Sequence, residues 1–236
     1  MKAYNRLKFL VKILLNKEVY YKTQIDCETQ WYGNKNAGFF VIPKQLNKDS
    51  IVYSFGIGKD ISFDKGLIKD FDCTIYGFDP TPKTIKFIEE EKLNGNFYFY
   101  PYGISDHDGS MKFFLPKNPN HISGTSFNRW SYNGDNYQPI DVPVKKFSSI
   151  VKELGHSKID ILKMDIEGSE YDVLDDIFSS GIEIGQLLIE FHHRFNTIGV
   201  AKTKEAIRKI NKNGFQIAAI SQQKEEYTFL KHKTDL

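Results

Sequence analysis

Hydrophobic and polar positions follow two different patterns along the chain, and the change between them falls near residue 50. Residues 4–16 place leucines on one helical face with lysines opposite, which predicts an amphipathic helix. This helix either docks on the domain or contacts a partner or a membrane surface. Residues 19–47 are aromatic and strand-prone with turn residues between them, which predicts a short antiparallel extension.

From residue 50 onward, short apolar runs alternate with helical stretches. The predicted strands are 51–55, 73–78, 96–101, 159–164 and 186–191, with a closing hairpin of 215–220 and 227–231. The predicted helices are 60–70, 84–91, 170–179 and 200–213. Such spacing indicates a parallel, doubly wound sheet covered on both faces. The short connection in the closing hairpin requires one late antiparallel strand, which is the arrangement of Rossmann-like methyltransferases.

Residues 102–145 interrupt this alternation, because glycine and proline punctuate short strand-like pieces there. We therefore predict an N-terminal extension at 1–49 and one α/β domain at 50–236. The interruption is then an insertion after the third strand of that domain, at about 102–145. Long ordered insertions tend to shape ligand sites, so we expect this one to contact the substrate.

The amino-acid composition favours a globular protein over a nucleic-acid-binding or membrane-spanning one. The 236 residues contain 32 Lys plus Arg and 30 Asp plus Glu, and mean hydropathy is −0.44, which predicts a soluble globular protein. The charge balance disfavours nucleic acid as a partner, and no run of roughly 18 apolar residues predicts a membrane span. Cys27 and Cys73 define no disulfide framework, and no cleavage site follows the basic N-terminus. We therefore expect a cytoplasmic protein.

In an open parallel sheet, ligands bind beyond the carboxyl ends of the strands. Five predicted strand ends carry glycine or polar side chains. They are Phe55-Gly56-Ile57-Gly58, Asp79-Pro80, Tyr102-Gly103-Ile104, Asp165-Ile166-Glu167-Gly168 and Glu190-Phe191-His192-His193. Because these ends meet at one edge of the sheet, we expect them to line a single crevice.

The glycine pair at Gly56 and Gly58 predicts a tight turn close to a ligand, or a turn and nothing more. The third glycine of the dinucleotide fingerprint would fall at Ile61, so a nicotinamide dinucleotide is disfavoured. A looser turn suits a nucleoside and an amino-acid carboxylate. Asp79 follows about twenty residues later, where an acidic side chain accepts ribose hydroxyls.

The densest polar cluster follows the fourth and fifth strands. Glu190 and His192 are two residues apart and share a face, whereas His193 points the other way. With Asp165 they suit removal of a proton from a hydroxyl, or a divalent metal; a strand cap is the structural alternative. Glu170 is explained by the helix N-terminus, where negative charge is favourable.

Residues 163–170, with the sequence KMDIEGSE, resemble the FkbM family of S-adenosylmethionine-dependent methyltransferases, as do the flanking residues 159–160 and 187–192. Residues 102–109 and 124–126 resemble further segments of that family. The resemblance covers about residues 50–192. Residues 53–64 depart from the family's usual first motif and resemble its methyltransferase-like branch.

The resemblance implies a Rossmann-like class I fold, S-adenosylmethionine as cofactor, and O-methylation of a sugar or glycan hydroxyl, as in polysaccharide biosynthesis. Two alternatives stay open: a non-sugar acceptor such as a polyketide, or a non-catalytic module that binds cofactor or glycan. The predicted cofactor contacts are Phe55, Gly56, Gly58, Asp79, Pro80, Gly103, Ile104 and Asp165. The predicted acceptor contacts are Glu167, Ser126, Trp130 and His193.

For the chemical step we predict His192 as base, Glu190 as its partner, and Asp165 as the carboxylate that positions acceptor or cofactor. The competing assignment makes Asp165 the base and leaves His192 structural. We expect turnover without a metal, because methylation of a hydroxyl has no obligatory metal step. The oligomeric state stays open, with a homodimer as one option.

Overall fold

The computed structural model describes residues 3–35, 37–91, 93, 95–114, 139–195 and 197–232. The helices are α1 (Ala3–Leu14), α2 (Ser62–Phe71), α3 (Pro82–Glu91), α4 (Phe147–Leu154), α5 (Glu170–Ser179) and α6 (Gly199–Lys212). The strands are β1 (Gln30–Gly33), β2 (Gly38–Val41), β3 (Ile51–Phe55), β4 (Thr74–Phe78), β5 (Phe97–Tyr100), β6 (Gly103–Ile104), β7 (Gly109–Phe114), β8 (Pro139–Lys145), β9 (Lys158–Met164), β10 (Glu183–Glu190), β11 (Phe215–Ile220) and β12 (Glu226–Lys231). A 3₁₀ turn spans Pro43–Gln45.

The largest sheet has seven strands in the spatial order β11-β12-β10-β9-β3-β4-β5 within the described residues. Neighbours from β10 to β5 are parallel, whereas β12 is antiparallel to both β10 and β11. The predicted α/β fold, doubly wound with a late antiparallel strand, is confirmed. Strand order reverses beside β3, which places the switch-point crevice at the carboxyl ends of β3, β4 and β9.

The central strands are apolar because both faces of the sheet are covered. Ile159, Ile161, Leu162 and Met164 of β9 are all fully buried. On one face the core contains side chains of α4, α5 and α6, and on the other it contains side chains of α2 and of the β1–β2 hairpin. The hairpin thus covers part of the sheet face on which α2 packs.

The β1–β2 hairpin is tied to the sheet by side chains that bind its backbone. The buried Gln186 amide of β10 accepts a hydrogen bond from Ile42 N at 2.8 Å and donates one to Ile42 O at 3.0 Å. The Thr228 hydroxyl of β12 donates to Phe40 O at 2.6 Å. The predicted antiparallel extension is therefore present and fixed by specific polar contacts.

Helix α1 forms as predicted, but its leucine face is not docked on the domain. Leu7, Leu10, Val11 and Leu14 are exposed, while Phe9 contacts Tyr20 edge to face at 6.4 Å between ring centroids. The docking interpretation is wrong for this face. Among the helices of the described residues, none has the length and apolar content needed to cross a bilayer.

The predicted insertion forms a second sheet with the order β6-β8-β7. Helix α4 follows it directly and was not predicted. Its residues Phe147, Ile150 and Val151 are buried at helical spacing, but the segment has only 8 residues. So short a periodic segment beside an irregular insertion gives a weak sequence signal.

Candidate active site

A cleft of about 700 Å³, partly open to solvent, lies at the carboxyl ends of β3, β4 and β9. All eight residues predicted to contact a cofactor line it: Phe55, Gly56, Gly58, Asp79, Pro80, Gly103, Ile104 and Asp165. Glu167, a predicted acceptor contact, lines it as well. Met111 and Phe113 of β7 add apolar walls that the sequence analysis did not identify.

The turn after β3 has a backbone path that requires glycine. Gly56 has a φ of 79°, and a Cβ there would overlap the carbonyl oxygen of Asp165. The ammonium group of Lys163 donates to Gly56 O at 2.8 Å and lies 3.4 Å from Phe55 O. This buried lysine was missed by the sequence analysis, although a charged residue inside an apolar strand was the available signal.

Asp79 is buried at the end of β4, and its carboxylate organises the neighbouring loops. Oδ2 accepts a hydrogen bond from Gly58 N at 2.9 Å, and Oδ1 accepts from Thr81 N at 2.9 Å and from the Thr81 hydroxyl at 2.7 Å. A carboxylate offers about four acceptor positions. A ribose bound here would therefore share the Asp79 oxygens with the loop that they already hold.

His192 is buried just beyond β10, and its ring is held by a carboxylate that the sequence did not indicate. Nδ1 lies 2.9 Å from Oε1 of the fully buried Glu170. The same oxygen accepts hydrogen bonds from Ile166 N at 3.0 Å and Gly168 N at 3.1 Å. The predicted partner, Glu190, lies 4.0 Å from the other ring nitrogen. Glu170, and not Glu190, therefore holds the ring by a hydrogen bond, while Glu190 is a nearby carboxylate on the other side of the ring.

The second nitrogen of the His192 ring faces three partly exposed carboxylates. From Nε2 the nearest oxygens of Asp165, Glu167 and Glu190 lie at 3.8, 3.7 and 4.0 Å. Glu167 reaches this position from a strained turn, since its φ is 54°. The geometry thus brings together the predicted Asp165, Glu190 and His192 set, of which Asp165 lines the cleft.

The carboxylates change the titration of this cluster. Burial by itself would lower the pKa of His192, but the negative charges of Glu170, Asp165 and Glu167 raise it well above its ordinary value. Burial raises the pKa of Glu190, and the nearby Asp165 carboxylate raises it further. Ligand atoms of Asp165, Glu190 and His192 lie within 4.8 Å of one another, a spacing that a divalent cation also fits.

The remaining predicted acceptor contacts do not join this cluster. His193 is buried against Glu18, to which its Nε2 is hydrogen-bonded, and Arg194 contacts the same carboxylate at 3.1 Å. Its prediction as a substrate contact is wrong, because the ring points away from the cleft toward the N-terminal segment. Ser126 and Trp130 lie outside the described residues.

Known proteins resemble this chain over most of its length. The family described as Methyltransferase FkbM domain matches residues 25–217. Human probable methyltransferase-like protein 24 is 26% identical over 148 residues, which cover 62% of this chain and 33% of the relative. The rat protein of the same description is 24% identical over 162 residues, covering 68% of this chain and 38% of that protein.

The chain thus spans about a third of the length of the curated relatives that it matches. A Methanococcus jannaschii fibrillarin pre-rRNA processing protein has a similar structure, with a TM-score of 0.47 and 8% identity over 78% of this chain and 67% of that chain. The family match covers the glycine turn, the acidic turn after β9 and the strand end at His192 together. This chain belongs to the FkbM methyltransferase family.

Proposed function

We propose that this chain transfers a methyl group from S-adenosylmethionine to a hydroxyl oxygen of a sugar or glycan. The observation that carries the proposal is the buried His192 ring, with one nitrogen held by Glu170 and the other facing Asp165 beside the cleft. Membership of the family supports methyl transfer. A hydroxyl acceptor fits because it must lose a proton, and His192, 3.8 Å from the cleft-lining Asp165, is our candidate for the base that accepts it.

The chemistry of the cleft suits S-adenosylmethionine. Phe55 and Phe78 stack at 4.3 Å between ring centroids, and they form part of an apolar wall for a nucleoside base. Asp79 offers a carboxylate to ribose, and the Gly56–Gly58 turn lets backbone approach the ligand closely. When bound, this cofactor supplies an electrophilic methyl group on a positively charged sulfur. The apolar wall does not oppose loss of that charge.

In the proposed step, the neutral His192 ring would take the hydroxyl proton on Nε2, and bound S-adenosylmethionine would supply the methyl group. Because the surrounding carboxylates raise the pKa of His192, this neutral form is favoured at alkaline pH. Glu170 fixes the ring orientation and stabilises the imidazolium that forms. A positioned base contributes a factor of about 10² to 10⁴ in rate. Alignment of acceptor and methyl group contributes about 7–11 kcal/mol in favourable cases.

The carboxylates around His192 also support a polyhydroxylated, uncharged acceptor. Glu167 lines the cleft and, like Glu190, offers oxygens that accept hydrogen bonds from hydroxyl groups. An anionic acceptor would meet several negative charges at close range, which opposes its binding. Neutral sugars are therefore favoured over nucleic acid and over phosphorylated acceptors.

The proposal is tested by the products of a turnover assay. The purified chain is incubated with S-adenosylmethionine and crude glycan, and formation of S-adenosylhomocysteine is measured against a His192→Ala control. We expect glycan-dependent product with the wild type alone. Cofactor binding by calorimetry without product from any hydroxyl acceptor would assign a non-catalytic module, and product from a polyketide alone would reassign the acceptor.

We also propose a cytoplasmic location. Both cysteines are free, with Cys27 partly buried and Cys73 fully buried. Free thiols fit a reducing compartment. Fractionation of cells that express the native chain tests this placement.

A further inference from the structure

Helix α1 carries an apolar face that the rest of the protein leaves open. Leu7, Leu10, Val11 and Leu14 have exposed fractions of 63%, 49%, 45% and 85%. Their spacing places them on one face of the helix. The apolar surface continues past the helix end through Leu15, which is 60% exposed. We call these five residues the leucine face.

The polar side of the helix is basic. The first 17 residues contain Lys2, Arg6, Lys8, Lys12 and Lys17 and no aspartate or glutamate. The first acidic residue, Glu18, is buried against His193 and Arg194, and Lys12 lies 3.8 Å from it. An apolar face flanked by lysines and free of exposed carboxylates is complementary to a surface with an apolar interior and anionic headgroups.

We propose that α1 binds the surface of an anionic phospholipid bilayer and lies in the plane of the interface. The leucine face enters the boundary between headgroups and acyl chains, and the lysines contact the headgroups. The helix has 12 residues and is about 18 Å long, against a hydrocarbon core of about 30 Å, so it lies on the bilayer and does not cross it.

The position of α1 also connects the bilayer to the cleft. Glu18, four residues beyond the helix, binds His193 and Arg194, which follow His192 directly along the chain. Docking of α1 therefore holds the carboxyl edge of the sheet near the bilayer surface. For the proposed function, this places the acceptor site where an acceptor carried on a lipid would be presented. The membrane contact itself does not rest on that function.

The test is flotation of the full chain with vesicles of phosphatidylcholine alone and with vesicles that contain a quarter of phosphatidylglycerol. We expect the protein to float with the anionic vesicles and much less with the neutral ones. We also expect the anionic binding to weaken as salt is raised from 0.1 to 0.5 M, because the Debye length shortens from about 10 Å to below 5 Å.

Two variants distinguish binding through the leucine face from nonspecific binding of vesicles by exposed hydrophobic side chains. The double change Leu10→Glu and Leu14→Glu should lower the vesicle partition coefficient roughly 100-fold. The matched control is Tyr98→Glu, since Tyr98 is a large aromatic side chain with 50% exposure on β5, an edge strand of the seven-stranded sheet. The control should float like the wild type, and unchanged circular dichroism and thermal melting confirm that each variant is folded.

The contribution of the basic side chains of α1 is tested with a second pair of variants. Lys8→Glu should lower binding to anionic vesicles at least about fivefold, whereas Lys212→Glu at the end of α6 should not. Absence of flotation with anionic vesicles at low salt would overturn the proposal, as would equal binding by the double leucine variant. A concentration-dependent dimer that the leucine changes abolish, without vesicle binding, would assign the leucine face to a second copy of this chain.

Discussion

The two sides of the crevice differ in how their polar groups are satisfied. On the cofactor side, the Asp79 carboxylate accepts three hydrogen bonds from Gly58 and Thr81, and Lys163 holds the glycine turn through its carbonyls. On the acceptor side, Asp165, Glu167 and Glu190 all lie 3.7–4.0 Å from one imidazole nitrogen, beyond hydrogen-bond length.

This difference matches the two roles that we propose for the crevice. The hydrogen bonds of Asp79 and Lys163 fix the loops of the proposed cofactor side. Crowded carboxylates around a buried ring cost stability, and they shift pKa values toward those of a proton-transfer site.

The largest effect is expected on the acceptor side. His192→Ala should lower kcat by about 10² to 10⁴ with little change in S-adenosylmethionine affinity, because the base is lost and the cofactor contacts remain. Single-turnover kinetics and calorimetry measure the two quantities. If His192→Ala keeps a near-normal kcat while Asp165→Asn loses it, Asp165 is the base.

On the cofactor side, Asp79→Ala should weaken S-adenosylmethionine binding roughly 10- to 100-fold, because a charge-assisted hydrogen bond contributes about 1.5–3 kcal/mol. Thr81→Val is the graded control, since it removes one hydroxyl contact to Asp79 and keeps the carboxylate. Calorimetry on variants with wild-type melting curves gives the result. Wild-type affinity of Asp79→Ala would show that ribose binds elsewhere.

Glu170 provides a second test of the proposed base. Glu170→Gln should lower the alkaline plateau of kcat roughly 10-fold or more, because the ring is no longer oriented, and should shift the acidic limb of the kcat–pH profile to lower pH. The limb moves to lower pH because the Glu170 charge raises the pKa of His192. Without that charge, the ring loses its proton at a lower pH. Asp172→Asn on the exposed face of α5 is the control. A reduced kcat with an unmoved pH limb would make Glu170 purely structural.

A smaller effect concerns stability on the acceptor side. The raised pKa of Glu190 means that its contribution to folding is present below about pH 4.5 and lost as pH rises toward the folded-state pKa. Asp165, Glu167 and Glu226 add to that shift, and His192 opposes it. Glu190→Gln should therefore stabilise the free protein at pH 8 by at least about 1 kcal/mol, and less at pH 5.

Thermal melts at both pH values check this difference. Glu183→Gln at the exposed start of β10 is the matched control and should melt like the wild type. A Glu190→Gln variant that is less stable than the wild type at pH 8 would show that the carboxylate is paired rather than crowded.

No effect is expected from metal removal, although Asp165, Glu190 and His192 have a spacing that a cation fits. After dialysis against a chelator, formation of S-adenosylhomocysteine should continue at the same rate, because the proposed base, His192 held by Glu170, needs no metal to accept the proton. Activity that is lost and then restored by magnesium or manganese would assign these three residues as cation ligands.

The order of the elements in the α/β domain follows from the pattern of apolar and polar residues. Helix α5 and strand β11 begin and end where the pattern predicts, and β3 does as well, because apolar runs of strand length between helical stretches have few alternative structures. The strand ends that line the cleft followed from the same pattern, since parallel strands all finish at one edge.

Tertiary structure alone decided the partners of the polar side chains. Glu170 looked like a helix N-terminal residue, yet the turn at Glu167 and Gly168 directs its carboxylate to a ring 22 residues further along the chain. His193 is held by Glu18, 175 residues away, and the leucine face stays exposed although its pattern equally fits a docked helix. Local periodicity fixes which face of an element is apolar, whereas the partner across that face depends on contacts between distant segments that no local pattern encodes.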